Sequence, residues 1–113
     1  MASTVTTYGN SVRVIKVAWT SDGSGDATGA VFIDGELKRM TTDPGSTAPT
    51  SNYDVTLVDD AAYDILGGAG ANRHASTTET VVPAVSGLHY GAATLTVSNA
   101  GDSKDGAAYL YYR

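Results

Sequence analysis

The sequence predicts an all-β fold: a single-domain β-sandwich, of jelly-roll or immunoglobulin-like type, with about eight short strands. Thirteen glycines and seven tyrosines, with many Val and Thr, are typical of strands and turns rather than helices. Stretches that alternate apolar and polar residues recur between clusters of Gly, Pro, Asp and Asn. The length of 113 residues suits one domain with its own core.

The first clear strand is SVRVIKVAWT, residues 11–20. Its apolar residues change phase part-way along: they are Val12 and Val14, then Ile15, Val17 and Trp19. Either a β-bulge or burial on both faces explains this slip. The preceding MASTVTTYGN is polar, so we expect residues 1–10 to form an extended N-terminal arm that orders on binding, and residues 11–113 to form the sandwich.

The segment AVFIDGELKRMTT, residues 30–42, contains Asp34-Gly35 between apolar residues. Asp-Gly flanked by alternating apolar residues is the signature of a tight turn, so we expect two short strands paired as a hairpin. The flanking segments TSDGSGDATGA and DPGSTAPTSN are rich in Gly, Pro and Asp and are predicted to be surface loops.

The cleanest alternation is YDVTLVDD, residues 53–60, which predicts a strand with one buried face. The following AAYDILGG, residues 61–68, is predicted to be a short returning strand. GAGANRHASTTE, residues 68–79, consists of small and polar residues and is predicted to be a long, mobile loop.

Three further strands are expected in the last third of the chain. TVVPAVSG, residues 80–87, reads as an edge strand because Pro83 lacks an amide proton for a second neighbour. AATLTVSN and GAAYLYYR flank AGDSKDG and are predicted to form a hairpin. Asn99 to Gly101 and Asp105-Gly106 would supply the positive φ angles of its turn.

Composition limits the classes of partner. The formal net charge is −5, and an acidic surface repels nucleic acid and anionic membranes, so neither is an expected partner. The absence of cysteine excludes disulfides and thiolate metal sites, and suits synthesis in a reducing cytoplasm. No secretory signal or spanning helix is visible, so we expect a soluble chain beginning at or near Met1.

The glycine-rich segment GGAGANR, residues 67–73, raises the question of phosphate binding. A Walker loop needs Gly-Lys-Ser/Thr followed by a helix, and a dinucleotide site needs a strand-turn-helix unit. Neither context follows Gly70, whose successors have no helical apolar period. We therefore predict that the segment turns the chain and that no cofactor is bound there.

Metal binding and catalysis are not predicted. Asp22, Ser24 and Asp26 alternate like the first ligands of a calcium loop, but the distal Glu of an EF-hand is missing. His74 and His89 are the only histidines, and without cysteine a zinc site would need distant side chains to converge. A Ser-His-Asp triad lacks the Gly-x-Ser-x-Gly elbow. The prediction is a protein that is not an enzyme, with no metal or cofactor.

Arg73 and the closing segment YLYYR suggest contact with other proteins. Tyrosine and arginine are enriched at interfaces because they combine apolar area with a polar end. At least one tyrosine of the final strand should meet the core and another solvent or a neighbour. Trp19 and Tyr90 offer an alternative, a platform for sugar. The predicted interface residues are Arg73, His74, Tyr109, Tyr111, Tyr112 and Arg113.

The order of segments resembles a group of small proteins encoded by tailed bacteriophages. The resemblance rests on AWTSDGSGDATG, TTDPGSTAPTSNYDVTLVDD, DILGGAGANR, LTVSNAG and the closing YLYYR, and spans residues 18–113. It implies a virion structural protein, and brings no catalytic residues with it. Within that class a small all-β chain without cysteine looks like a capsid decoration or cement protein.

This resemblance implies that the protein is made in the host cytoplasm and lies on the capsid surface, where it stabilises the head through interface contacts. The expected partners are the major capsid protein and further copies of the chain, with a trimer as one arrangement. A head-tail connector or tail component is the first alternative. A carbohydrate-binding module for host attachment is the second.

Overall fold

A computed structural model of the chain describes residues 3–113, and these residues form an antiparallel β structure without helices. No segment of this range is a helix long and apolar enough to span a membrane. The all-β prediction is confirmed, with seven strands where about eight were expected. The strands are β1 (Ser3–Gly9), β2 (Arg13–Thr20), β3 (Ala27–Pro44), β4 (Asp54–Asp59), β5 (Glu79–Val81), β6 (Leu88–Ser98) and β7 (Asp105–Tyr112).

The long strand β3 belongs to both layers of the sandwich. Its first half, Ala27 to Glu36, pairs with β6, and its second half, from Leu37 onward, pairs with β7. Between them Gly35 has φ +146°, and a Cβ there would lie 2.7 Å from the Arg113 carbonyl oxygen. The predicted Asp34-Gly35 hairpin is therefore wrong, because the glycine bends one continuous strand across the corner of the sandwich.

The bend places the two halves of β3 in two different layers. The five-stranded layer is β1, β2, β7, the second half of β3, and β5; the three-stranded layer is the first half of β3, β6 and β4. Both layers contribute to one core. Its fully buried residues include Ile15, Val17, Leu110 and Met40 from the first layer and Ile33, Leu95, Val97, Val55 and Leu57 from the second.

The structure of β2 explains why its apolar residues change phase part-way along the strand. Val14 and Ile15 are both buried although they point to opposite faces. The pairing of β2 with β1 and with β7 runs without a register shift. Burial on both faces, rather than a β-bulge, therefore explains the pattern, with Val14 lying opposite Tyr111 on the outer face.

The predicted arm, residues 1–10, is extended over the described residues 3–9. These residues form β1 and pair along their whole length with β2, from Ser3 opposite Trp19 to Gly9 opposite Arg13. Met1 and Ala2 lie outside the described residues. The predicted boundary between arm and sandwich thus falls in the turn that joins β1 to β2.

The predicted hairpin of the last two strands is also wrong. β6 pairs with β3 and β4, whereas β7 pairs with β2 and β3, so residues 99–104 cross from one layer to the other. Positive φ angles occur at Asn99, Gly101 and Ser103. The buried Ser21 holds this crossing, because its hydroxyl donates to the Gly101 carbonyl at 2.5 Å and accepts from the Lys104 amide.

Two further predictions concern the edges of the layers. The 61–68 segment is not a returning strand: only an isolated bridge joins Asp64 to Val58, and the rest forms turns. The predicted edge strand over residues 80–87 is confirmed only at its start: β5 pairs with β3 over Met40 to Thr42, and residues 82–87 form no strand. Residues 61–68 lie beside β4 and β5 lies beside β3, where the strand edges would otherwise expose backbone groups.

Candidate functional site

An aromatic patch occupies the outer face of the three-stranded layer. We define it by Phe32, Leu88 and Tyr90, with the small residues Ala30 and Ala92. The fractional exposures of Phe32, Leu88 and Tyr90 are 50%, 84% and 85%. The rings of Phe32 and Tyr90 meet edge to face, with centroids 5.1 Å apart. Such exposure of large apolar side chains on one face marks a candidate contact surface.

The register of β3 and β6 builds this patch. Phe32 lies opposite Ala92, and Tyr90 lies opposite Asp34, so the two rings are diagonal neighbours on one face. Ala92 leaves space beside the Phe32 ring because its own side chain is small. The Asp34 carboxylate, on the residue opposite Tyr90, forms an ion pair of 2.6 Å with Arg13 and is therefore not a free charge at the patch.

A cavity of about 210 Å³ adjoins the patch. Asp59, Asp60 and His89 line its polar side, and Ile33 and Ile65 line its apolar side. The His89 ring stacks on Tyr63 with centroids 6.2 Å apart. The cavity therefore gives the patch a concave, partly acidic margin into which a basic or polar side chain could fit.

The glycine-rich loop encloses a carboxylate of its own chain. Asp64 Oδ1 accepts hydrogen bonds from the Leu57 and Leu66 amides at 3.0 and 3.1 Å, and Oδ2 accepts one from the Gly68 amide at 3.0 Å. The Gly67 amide donates to the Asp64 carbonyl. The Gly67 and Gly68 amides already serve Asp64, and the Ala69 and Ala71 amides donate to carbonyls within the loop, so this segment has the hydrogen bonds of the predicted turn.

The same loop covers the outer edge of β4. The Ile65 amide donates to the Leu57 carbonyl at 2.7 Å, and the Val55 amide donates to the Gly70 carbonyl at 2.9 Å. At Gly70 the approach is so close that a Cβ would overlap the Val55 carbonyl. Glycine is needed here for backbone contact rather than for ligand approach.

The predicted interface residues Arg73 and His74 hold this loop in place. The Arg73 guanidinium donates to the Ala71 carbonyl and lies 3.4 Å from Glu79 Oε1. The His74 amide donates to the same carboxylate, and its Nδ1 accepts from the amides of Ser76 and Thr77. Their polar atoms are thus engaged within the chain, on the side of β5.

The predicted interface residues of the final strand divide between the two faces. Tyr112 is buried in the core beneath the Arg13 guanidinium, and burial raises the pKa of its phenol. Tyr109 and Tyr111 are half-buried on the outer face of the five-stranded layer. Their rings contact Lys16 and Arg39 at 5.5 and 4.3 Å. The structure does not gather these rings and Arg73 on one surface.

Arg113, the last predicted interface residue, is exposed, and its backbone completes the corner of the sandwich. Its amide donates to the Glu36 carbonyl and its carbonyl accepts from the Glu36 amide, at 3.1 and 2.8 Å. The chain end therefore lies against Gly35, at the bend of β3. Only the Arg113 side chain is available to a partner.

A groove of about 420 Å³ crosses the outer face of the five-stranded layer. Its wall includes Tyr109 and Lys16, and Asp43 and Asp105 add two carboxylates. Trp19 lies beneath its floor, against Gly106, and is only 2% exposed. The suggested sugar platform of Trp19 and Tyr90 is wrong, because one ring is buried and the other stands on the opposite layer.

The loop that alternates Asp22, Ser24 and Asp26 is closed by its own backbone. Asp22 Oδ1 accepts from the amides of Asp26 and Ser24. These hydrogen bonds lower the pKa of Asp22. Within residues 3–113 no group of three or more His, Cys, Asp or Glu is arranged to hold a metal ion.

The aromatic patch was missed in the sequence for an identifiable reason. The sequence pattern predicts a hairpin arm at Phe32 and no strand at Leu88 and Tyr90. A signal does exist, since the apolar phase of β6 reverses between Ala92 and Ala93. The apolar residues before this point face outward, and the apolar residues after it face the core.

Comparison with known proteins adds little to this geometry. No protein-family model matches the chain, and no curated protein matches its sequence. Among solved structures the chain is similar to a cupin domain from Bordetella pertussis Tohama I, with 14% identity and a TM-score of 0.35. The match covers 98% of this chain and 93% of that chain. A similarity of this degree carries no functional argument.

Proposed function

We propose that the protein is a structural component of a bacteriophage virion, a decoration or cement protein that binds the outside of the head through the aromatic patch. The observation that carries the proposal is the exposure of Phe32, Leu88 and Tyr90 on a regular sheet face. Its partner is the major capsid protein. The resemblance of the chain to small phage proteins supplies the identity of the partner.

The chemistry of the patch supports contact with a protein. Interface centres are enriched in aromatic residues, as this patch is, and the carboxylates of Asp59 and Asp60 lie at its margin, in the adjoining cavity. The patch lies on β3 and β6, and β6 is paired on both sides, so the side chains start from fixed backbone positions. Binding through such a surface loses little backbone entropy.

The acidic balance of the chain supports a position on the outside of the shell. With a net charge of −5, the chain would be repelled by packaged DNA on the inner side. Stabilisation of the head would then come from buried contact area between neighbouring capsid subunits and this protein. No chemical step is needed for that role.

The proposal is tested by adding the purified protein back to capsids stripped of it. Binding should raise the resistance of these capsids to heat and osmotic shock, and unchanged resistance would reject cementing. Tyr90→Ser and Leu88→Ser should each weaken binding by about 30-fold, as for a central interface residue. Val82→Ser is the matched control, because Val82 is an aliphatic residue 67% exposed outside the patch.

A second candidate function is the carbohydrate-binding module, and the groove beside Tyr109 favours it. An aromatic wall with two nearby carboxylates is a chemistry that suits sugar hydroxyls. Glycan-array binding that is lost in Tyr109→Ala would support this function. Silence on the array, together with capsid binding, would support the decoration role.

A further inference from the structure

The edges of the two layers are protected unequally. The edges of the five-stranded layer are β1 and β5, and those of the three-stranded layer are β4 and the first half of β3, whose Thr28 carbonyl accepts from the Ser3 hydroxyl. The β4 edge is covered by residues 62–73, whose backbone bonds to Val55 and Leu57. The β5 edge is three residues long and is followed by Pro83. Short strands, proline and covering loops are the usual protections against strand addition.

Strand β1 has none of these protections. STVTTYG contains no charge, no proline and no register irregularity, and its residues favour β structure. It pairs with β2 on one side, and within residues 3–113 no strand pairs with its other side. Alternate residues of an antiparallel strand direct their backbone groups away from the partner, so every second residue of this seven-residue strand has backbone groups open for pairing.

The inward side of β1 is covered at Ser3, whose hydroxyl donates to the Thr28 carbonyl of β3 at 2.6 Å. Beyond Ser3 the strand extends past the core, because the five-stranded layer is wider than the three-stranded layer. As a result Val5, which shares its face with the buried Val17, is 37% exposed, and Tyr8 on the outer face is 49% exposed. Both faces of the strand, as well as its edge, can gain contacts from an added strand.

We infer that β1 pairs antiparallel with β1 of a second copy, which joins the two five-stranded layers into one continuous sheet. Directly opposed residues in a sheet share a face, so only registers that oppose residues of the same phase are possible. Among these, full overlap of the seven residues centres the pair on Thr6. Thr4 then lies opposite Tyr8, and Val5 opposite Thr7.

A second copy can pair with this edge without bringing like charges together. Each copy has a net charge of −5, so two copies repel over most of their surface, and β1 is a stretch where no charge opposes charge. Cross-strand pairs of β-branched and aromatic residues are favourable. The contact is isologous and closes with two copies, in contrast to the trimer expected from the resemblance.

The pairing has a consequence that rests on the proposed function. In a continuous sheet the core sides of both copies face the same way, so both three-stranded layers lie on one side. Their aromatic patches then point in the same direction. A dimer could therefore bind a capsid surface through two patches at once, which strengthens attachment through effective concentration.

A single-cysteine test reads the register directly, because the natural chain has no cysteine. Opposed Cα atoms in an antiparallel pair are about 4.5–5.5 Å apart, within disulfide range. Thr6→Cys should therefore cross-link to a covalent dimer under mild oxidation with diamide. Thr4→Cys is the matched control: it would oppose Tyr8, roughly 13 Å from the second introduced thiol, and should remain uncross-linked.

Sedimentation equilibrium without oxidant tests the same contact independently of capsid binding. The natural chain should give a molar mass twice that of one copy. Thr6→Lys places two ammonium groups face to face, so it should raise the dimer dissociation constant about tenfold or more. Thr94→Lys, an exposed position on β6, should not. A monomeric natural chain, an oligomer indifferent to Thr6→Lys, or equal cross-linking at positions 4 and 6 would overturn the inference. A monomer that still binds capsids would leave the decoration role standing.

Discussion

Replacing Asp64 tests whether a single carboxylate organises the glycine-rich loop. Asp64→Ala removes the acceptor for the amides of Leu57, Leu66 and Gly68. Two of these donors belong to the loop and one belongs to β4, so the substitution releases the loop from the strand it covers. Asp64→Asn keeps one acceptor oxygen and should retain part of the arrangement.

The expected cost follows from the hydrogen bonds that are lost. A hydrogen bond to a charged group contributes about 1.5–3 kcal/mol. The three bonds to Asp64 share one half-buried acceptor, and the released amides regain water, so their contributions do not add. We therefore expect Asp64→Ala to lower the free energy of unfolding by about 2–4 kcal/mol, and Asp64→Asn by roughly half of that.

Urea unfolding followed by fluorescence measures this difference, because the single Trp19 is buried beside Tyr53 and reports on the core. The midpoint should fall with little change in the slope of the transition. Asp60→Ala is the matched control, since Asp60 is an exposed carboxylate four residues away. If Asp64→Ala costs no more than Asp60→Ala, the carboxylate does not organise the loop.

Two further predictions concern the bend and the core. Gly35→Ala should lower the free energy of unfolding by about 2–4 kcal/mol in urea unfolding, because its φ of +146° strains alanine and the new Cβ meets the Arg113 carbonyl. Gly23→Ala is the matched control and should cost under about 0.5 kcal/mol, because a Cβ there meets open space. Tyr53→Phe should be neutral or stabilising by up to about 1 kcal/mol at pH 7, because within residues 3–113 the buried hydroxyl makes no hydrogen bond of good geometry. A loss above about 1 kcal/mol would reveal a hydrogen bond to that hydroxyl.

Tyr53 also makes the free energy of unfolding depend on pH, in a direction that its burial determines. Burial raises the pKa of its phenol above the ordinary value of 10.0, so the folded state keeps the proton that the unfolded state loses. Stability from this group is complete below pH 10.0 and falls as the pH rises from there towards the folded pKa. Tyr53→Phe should show a shallower alkaline decline of unfolding free energy, and an identical decline would contradict the burial.

The parts of the fold that the sequence predicts are those set by local pattern. Alternation in residues 53–60 identifies β4 because one face of that strand meets the core and the other does not. Pro83 identifies the β5 edge because a missing amide proton is a local property. The all-β class follows from composition for the same reason, since each residue type carries its own backbone preference.

The errors arise where pairing is set by distant parts of the chain. Asp34-Gly35 and residues 99–104 have the composition of hairpin turns, and both do change the direction of the chain. A positive φ angle does not determine whether the flanking strands then pair with each other, and here they pair with other strands. The Asp64 contacts are equally invisible in sequence, because a carboxylate near glycines is also typical of a solvated loop.

The copy number of this chain in purified phage particles tests the account most directly. Quantitative band intensity relative to the major capsid protein gives that number without any assumption about the structure. A decoration role predicts a copy number that approaches the number of major capsid subunits. Copies sufficient only for a single ring would favour the connector or tail, and absence of the chain from particles would contradict a virion role.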